Sequence, residues 1–235
     1  MPEATIEELL ERNRQHTDSL REGTFDAVLS EQHPAVVSVC CSDSRVSQEG
    51  MWAVDDPGWL FTAGNIGNQV IDQYDGDDVL SGDVLYPIRF TDTKLAAVVG
   101  HTGCGAVTAA LDRARSDDPD PLPLGIEKRV ESLLPIVEDG LADDRVTSDD
   151  EVSVLNRLVE YNVDRQTEFL REDDAVPDSE TVAGFVYDFQ GVYGDVPGRC
   201  YLVNYDGETA VEQLRTVVPD QFEGHVRRLL GGSNN

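Results

Sequence analysis

Two runs, AVVSVCC at 35–41 and LAAVVGH at 95–101, limit what this chain can fold into. Each is short, rich in β-branched residues and lacks regular polar alternation. A strand with one wet face alternates. A strand buried on both faces reads as a continuous apolar run, the pattern of a parallel sheet covered by helices. Each run breaks off at once into a polar turn, SDSR after the first and TGCG after the second. In open α/β sheets, such strand-end loops are where ligands and catalytic groups collect.

The rest of the chain supplies partners for these strands. GWLFTAG (58–64) reads as a further short strand, and residues 77–90 read as a helix. TGCGAVTAALDRAR places its glycines at a strand-to-helix turn, and SDDPDPLPLG (116–125) is a proline-broken acidic loop. A long helix is predicted over 150–172, with Val152, Leu155, Val159, Val163 and Phe169 along one face. TVAGFVYDF (181–189) and GRCYLVNY (198–205) read as paired strands, and a terminal helix is predicted over 208–230. Ile6, Leu9, Leu10 and Leu20 make residues 4–22 an amphipathic helix. The expected fold is α/β, a central mostly parallel sheet flanked by helices. It forms one domain over 1–235, with residues 1–24 as an N-terminal helical arm.

Charge excludes whole classes of partner. Forty-six acidic residues face 18 basic ones, a formal net charge of −28. That balance disfavours nucleic acid, whose binding rests on Lys and Arg neutralising phosphates, and anionic membrane surfaces. The acids come as scattered pairs such as Asp55-Asp56, Asp77-Asp78 and Asp149-Asp150, and the only lysines are Lys94 and Lys128. A dense carboxylate coat with so little lysine fits a halophilic protein, because salt screens its self-repulsion. No run of apolar residues is long enough to span a bilayer. The acidic start, MPEATIEELLERNRQH, has no basic n-region, so a cytoplasmic location is expected.

In a reducing compartment the four cysteines, Cys40, Cys41, Cys104 and Cys200, are ligands or buried thiols in preference to disulfides. Cys200 lies within an apolar strand and reads as a small core residue. His16, His33 and His225 lie in polar surroundings and read as surface or capping residues. His101 and Cys104 stand three apart at one strand end, and one of the vicinal pair Cys40-Cys41 stands at another. A Cys2His set holds zinc and leaves one tetrahedral position open, as catalytic zinc sites do.

The combination is more specific than its parts. CSDSR at 41–45, followed sixty residues on by HTGCG at 101–105, with both motifs following apolar strands, resembles the β-class carbonic anhydrases. The resemblance implies that Cys41 is the ligand of the pair, because it alone has Asp43 at +2 and Arg45 at +4. It runs from about Gln32 to Asp206, taking in Asn162, Val163, Gln166 and Leu170 on the long helix and VAGFVYD in the late strand.

By the same resemblance, Cys41, His101 and Cys104 hold one Zn2+ per chain. The reaction implied is reversible hydration of carbon dioxide to bicarbonate and a proton by a zinc-bound hydroxide. Gln32 bonds substrate oxygen, Phe61, Ile66 and Tyr86 wall the apolar pocket, and Gly105 follows the second zinc cysteine. Asp43, paired with Arg45, orients the hydroxide; released from Arg45, it can become the fourth ligand of a closed site. The family implies a homodimer or tetramer, with pockets at subunit interfaces and the N-terminal helix laid over the partner. Gly64-Asn65 departs from the family's Arg-Asn. Other readings of the same site are hydrolysis of carbon disulfide or carbonyl sulfide, a non-catalytic zinc module and, on the vicinal cysteines alone, a thiol redox protein.

Overall fold

A computed structural model describes residues 4–231, so the first three residues of the predicted arm lie outside the described ones. Helix α1 (Ile6–Ser19) is capped by Thr5, whose hydroxyl accepts from the Glu8 N–H. Then come β1 (Val36–Cys41), the short α2 (Gln48–Met51), β2 (Leu60–Asn65), β3 (Ile71–Tyr74), β4 (Asp77–Leu80) and α3 (Gly82–Phe90). They are followed by β5 (Leu95–His101), α4 (Gly105–Ala114), α5 (Leu124–Glu131), α6 (Leu134–Ala142) and α7 (Glu151–Glu172). The chain ends with β6 (Thr181–Asp188), β7 (Arg199–Tyr205), α8 (Val211–Thr216) and a 3-10 turn over Asp220–His225.

Five strands form the central sheet in the order β2-β1-β5-β6-β7. The first four are mutually parallel and β7 runs antiparallel to β6. Both predicted apolar runs are therefore inner strands, buried on both faces. Val37, Val39 and Cys41 join the main core beneath α3, α4, α6 and α7. Val36 and Cys40 face the other way, towards Met51 and Trp52. The predicted α/β fold is what the chain adopts, down to the ends of β5.

Helix α7 packs unusually close to the sheet. A Cβ at Gly100 of β5 would lie 2.7 Å from Val163, and one at Gly184 of β6 would lie 2.8 Å from the same residue. Only glycine lets the helix approach there. Closeness brings α7's amides onto loops at the sheet's end: Asn162 donates to the Gly67 carbonyl, and Gln166 accepts from the Val70 N–H.

Three expectations on local structure change. Residues 77–80 are a strand, because Asp75 and Gly76 (φ +53° and +92°) make a tight hairpin turn between β3 and β4; helix begins only at Gly82. The terminal helix over 208–230 is replaced by α8 and a 3-10 turn, since Pro219 cannot continue a helix. The buried face of α7 is Val154, Leu158, Val159, Val163 and Leu170, while Val152 is exposed. Helices α5 and α6 follow directly on the acidic loop.

Glu180, just ahead of β6, is 9% exposed, and its Oε1 is buried with no hydrogen-bond partner. Burial pushes its carboxyl up to about 7, with Lys94 partly offsetting and Asp92 reinforcing the shift. In the unfolded chain it titrates near 4.5. The native state thus keeps a proton that the unfolded state has released. That advantage is full below 4.5 and gone as pH rises through about 7. Glu180→Gln is expected to raise the melting temperature by about 2–4 °C at alkaline pH and to change nothing at pH 4. Scanning calorimetry at both pH values checks it; an equal gain at the two would overturn this account.

Candidate metal centre

The site is built by strand order. β1 and β5 are parallel neighbours, with Cys40 opposite Val99, so Cys41 and His101 emerge side by side at their carboxyl ends. The turn at Thr102-Gly103, with Gly103 at φ +64°, brings Cys104 back to the start of α4. Gly103 is fixed there by the Asn156 side chain of α7, which accepts its N–H at 3.0 Å. All three side chains are buried.

Their ligand atoms lie within 4.8 Å of one another. The two sulfurs are 3.9 Å apart, close to the roughly 3.8 Å that tetrahedral Zn–S bonds of about 2.3 Å require. Nδ1 of His101 lies 3.0 Å from the Thr102 carbonyl. That contact puts the proton on Nδ1 and leaves Nε2, buried without a partner, with its lone pair towards the sulfurs. The two sulfurs are in direct contact. Cys104 donates to Cys41 and lowers it, while that bond and burial raise Cys104. A divalent cation takes both as thiolates. Two thiols, one orphaned imidazole nitrogen and tetrahedral spacing fit zinc.

Asp43 and Arg45 sit at the rim. Arg45 grips Asp43 with two bonds, Nε–Oδ1 at 2.9 Å and Nη2–Oδ2 at 2.6 Å, and its own N–H also reaches Oδ1. The Arg45 side-chain bond holds the Asp43 carboxyl well below the usual range, against some desolvation. Asp43 Oδ2 lies 3.8 Å from His101 Nε2, so the carboxylate stands at the edge of the ligand set.

The remaining predicted residues divide into two groups. Ile66 precedes Gly67, whose N–H points at the Cys41 sulfur at 3.5 Å, and Ile66 itself is exposed. Gly105 opens α4 with free space where a Cβ would stand. Gln32, Phe61 and Tyr86 are not brought to these ligands. Phe61 pairs with Val37, and Asn65 with Cys41; four residues of strand, about 13 Å, separate the two levels. Tyr86 leans on Phe61 at 6.2 Å and on exposed Phe90 at 5.5 Å. Gln32 is exposed ahead of β1, again at the far end. Gly64 pairs with Cys40, so a side chain at that position would leave the sheet on the face opposite the cluster.

Cys40 and Cys200 are buried outside the cluster, Cys200 with its sulfur 3.7 Å from that of Met51. His16 and His33 are exposed and His225 is half-buried. Two contributors were not named from sequence. Phe189, which follows β6, stacks on the His101 ring, and Asn156 of α7 fixes Gly103. Only the strand order and the depth of α7 reveal them.

A mostly parallel α/β sheet that gathers Cys2His where two inner strands end, with polar residues at one rim, defines a metal protein of the open-site kind. The family model described as "Carbonic anhydrase" matches residues 36–193, and the chain belongs to that family. It is 30% identical over 118 residues to a carbonic anhydrase of Candida albicans, covering 48% of this chain and 40% of that one. It is 31% identical over 169 residues to the Emericella nidulans protein of the same description, covering 68% of this chain and 67% of that one. The chain thus spans less than half the length of the Candida relative. In fold it is similar to a tetrameric β-carbonic anhydrase of Sordaria macrospora, with a TM-score of 0.69 at 20% identity, covering 86% of this chain and 98% of that one.

Proposed function

We propose that this chain is a zinc carbonic anhydrase that reversibly hydrates carbon dioxide to bicarbonate and a proton. The observation that carries the reading is the Cys41–His101–Cys104 cluster, with its tetrahedral sulfur spacing and unpartnered Nε2. Cys41, His101 and Cys104 would hold the zinc, whose Lewis acidity would supply a hydroxide nucleophile near neutral pH. The two thiolates balance its charge and moderate that acidity. Asp43, kept ionised by Arg45, is an acceptor that orients the nucleophile's proton. Ile66 is exposed beside Gly67, and the start of α4 has free space where a side chain at Gly105 would stand.

Gln32, Phe61 and Tyr86 serve the pocket of a second copy. Their separation from this protomer's own ligands and the exposure of the Tyr86 and Phe90 rings support that assignment. So does α1, whose Ile6, Leu9 and Leu10 are all more than 60% exposed and need an apolar surface to cover them. The assembly is a homodimer or a tetramer of such pairs. No helix among the described residues is long and apolar enough to cross a membrane. Four free thiols support a reducing, cytoplasmic setting, and the acidic coat supports a halophilic one.

Stopped-flow hydration on zinc-quantified protein in high salt, at about pH 7 and about pH 8.5, tests the proposal. One zinc per chain and a rate that climbs several-fold between the two values are expected, because two thiolates make zinc a weaker acid than three histidines do. A profile already flat by about pH 6 would contradict that assignment of ligand charge. One zinc per chain with no hydration would move the function to carbon disulfide or carbonyl sulfide, or to a non-catalytic zinc module.

A further inference from the structure

We infer that Phe189 is a positioning residue that keeps Asp43 on Arg45 and off the metal. This rests on the reading of Cys41, His101 and Cys104 as metal ligands. Phe189 stands in the loop directly after β6, the strand beside β5. Its ring lies against His101 with centroids 5.9 Å apart at 27°. The Arg45 guanidinium sits over the same ring, 4.7 Å from the centroid. One aromatic ring therefore touches both a ligand and the cation that restrains Asp43.

The restraint needs such support. Arg45 is half exposed, and an exposed ion pair by itself contributes little and exchanges readily with water. Beyond Asp43, Arg45 has the Gly103 carbonyl at 3.3 Å and the Phe189 face. A guanidinium is held well by an aromatic face because the ring's negative quadrupole attracts it. Phe189 is itself anchored through its neighbour. The fully buried Asp188 carboxylate accepts from the N–H groups of Gln190, Val192 and Tyr193 and from the Thr102 hydroxyl beside His101. Asp43 Oδ2 is already 3.8 Å from Nε2 of His101. When Arg45 drifts, that carboxylate competes for the coordination position that substrate or an inhibitory anion needs.

The test uses full-length protein loaded with cobalt(II), titrated with thiocyanate and followed by visible absorption. Phe189→Leu keeps an apolar side chain of similar size and removes the π face; Phe189→Tyr retains the face. The leucine variant is expected to bind thiocyanate about threefold to tenfold more weakly at unchanged cobalt content, with the tyrosine variant within about twofold of the parent. In the zinc form, hydration by the leucine variant should fall by a similar factor. Unchanged thiocyanate affinity in Phe189→Leu would overturn the inference. So would a loss of bound cobalt in parallel with affinity, which would make Phe189 a support for the ligands and not for Asp43. Because the titration requires no turnover, a parent that fails to hydrate carbon dioxide would sink the proposed function and leave this test intact.

Discussion

Cys41→Ser is expected to leave dialysed protein with roughly a tenth or less of a zinc ion per chain and to cut carbon dioxide hydration by about a thousandfold or more. Serine keeps the volume and the place at the end of β1. It does not keep the anion, because a hydroxyl is far too weak an acid to ionise in a buried site. The Gly67 N–H and the Cys104 thiol, both directed at the Cys41 sulfur, would meet a shorter, neutral oxygen. Cys40→Ala is the matched control. Cys40 is one residue away and wholly buried, but it packs on the opposite face of the sheet. It should keep a full complement of zinc and near-parental hydration, at a cost of about 1 kcal/mol in stability from the lost packing. Metal analysis and stopped-flow rates on the two variants separate them. Full zinc in Cys41→Ser, or zinc lost from both variants equally, would contradict the ligand assignment.

The contrast between these adjacent cysteines shows what a linear sequence carries. A strand buried on both faces has nowhere for a polar residue except its ends. The ligands therefore stood out as the first chemistry after two apolar runs, and the resemblance, through Asp43 at +2 and Arg45 at +4, separated Cys41 from Cys40. The neighbour relation of β1 and β5 is different. Residues 41 and 101 meet only because the intervening strands go to the edge and into a separate hairpin. Phe189 was illegible for the same reason, since its role depends on β6 lying next to β5. The Asp75-Gly76 hairpin was written plainly in the sequence, and the helix expected over 77–90 overran it.

Helix α7 misled in another way. Asn156, Glu160, Asn162 and Gln166 belong by type to a solvent face, yet all four are buried. Each has at least one partner far away in sequence, loop backbone for Asn156, Asn162 and Gln166 and also Tyr193 and Arg228 for Glu160, so periodicity placed the apolar stripe partly on exposed Val152. Phe61, Tyr86 and Gln32 mark a further limit: their kinds were readable, while their distance from this protomer's own ligands depends on strand register.

Arg228→Ala is expected to destabilise the fold by about 3–5 kcal/mol. Glu160 is wholly buried in the middle of α7, and its carboxylate accepts from the Leu229 and Leu230 N–H groups and the Tyr193 hydroxyl. Arg228 supplies the balancing charge, with Nε 3.0 Å from Glu160 and Nη2 2.6 Å from Asp164. Desolvation, the largest influence, already raises the Glu160 pKa even with that cation present. A carboxyl whose native pKa is raised favours the fold below its unfolded pKa, near 4.5, and loses that advantage as pH climbs through the native value. Without Arg228 the native pKa rises further. The deficit should therefore be small near pH 4 and largest at alkaline pH, as read from denaturant midpoints at equal m-value. Arg228→Met combined with Glu160→Gln should recover most of the loss, because the buried charge leaves with its partner. A deficit independent of pH, or a double variant no better than the single one, would show that Arg228 acts by packing its stem and not by charge. The outcome also bears on the metal centre. Tyr193, which donates to Glu160, gives its N–H to Asp188, and Asp188 accepts from the Thr102 hydroxyl beside His101. A fold loosened at Arg228 should therefore also hold zinc less tightly, by roughly tenfold, the effect expected of a residue that orients a ligand without touching the metal.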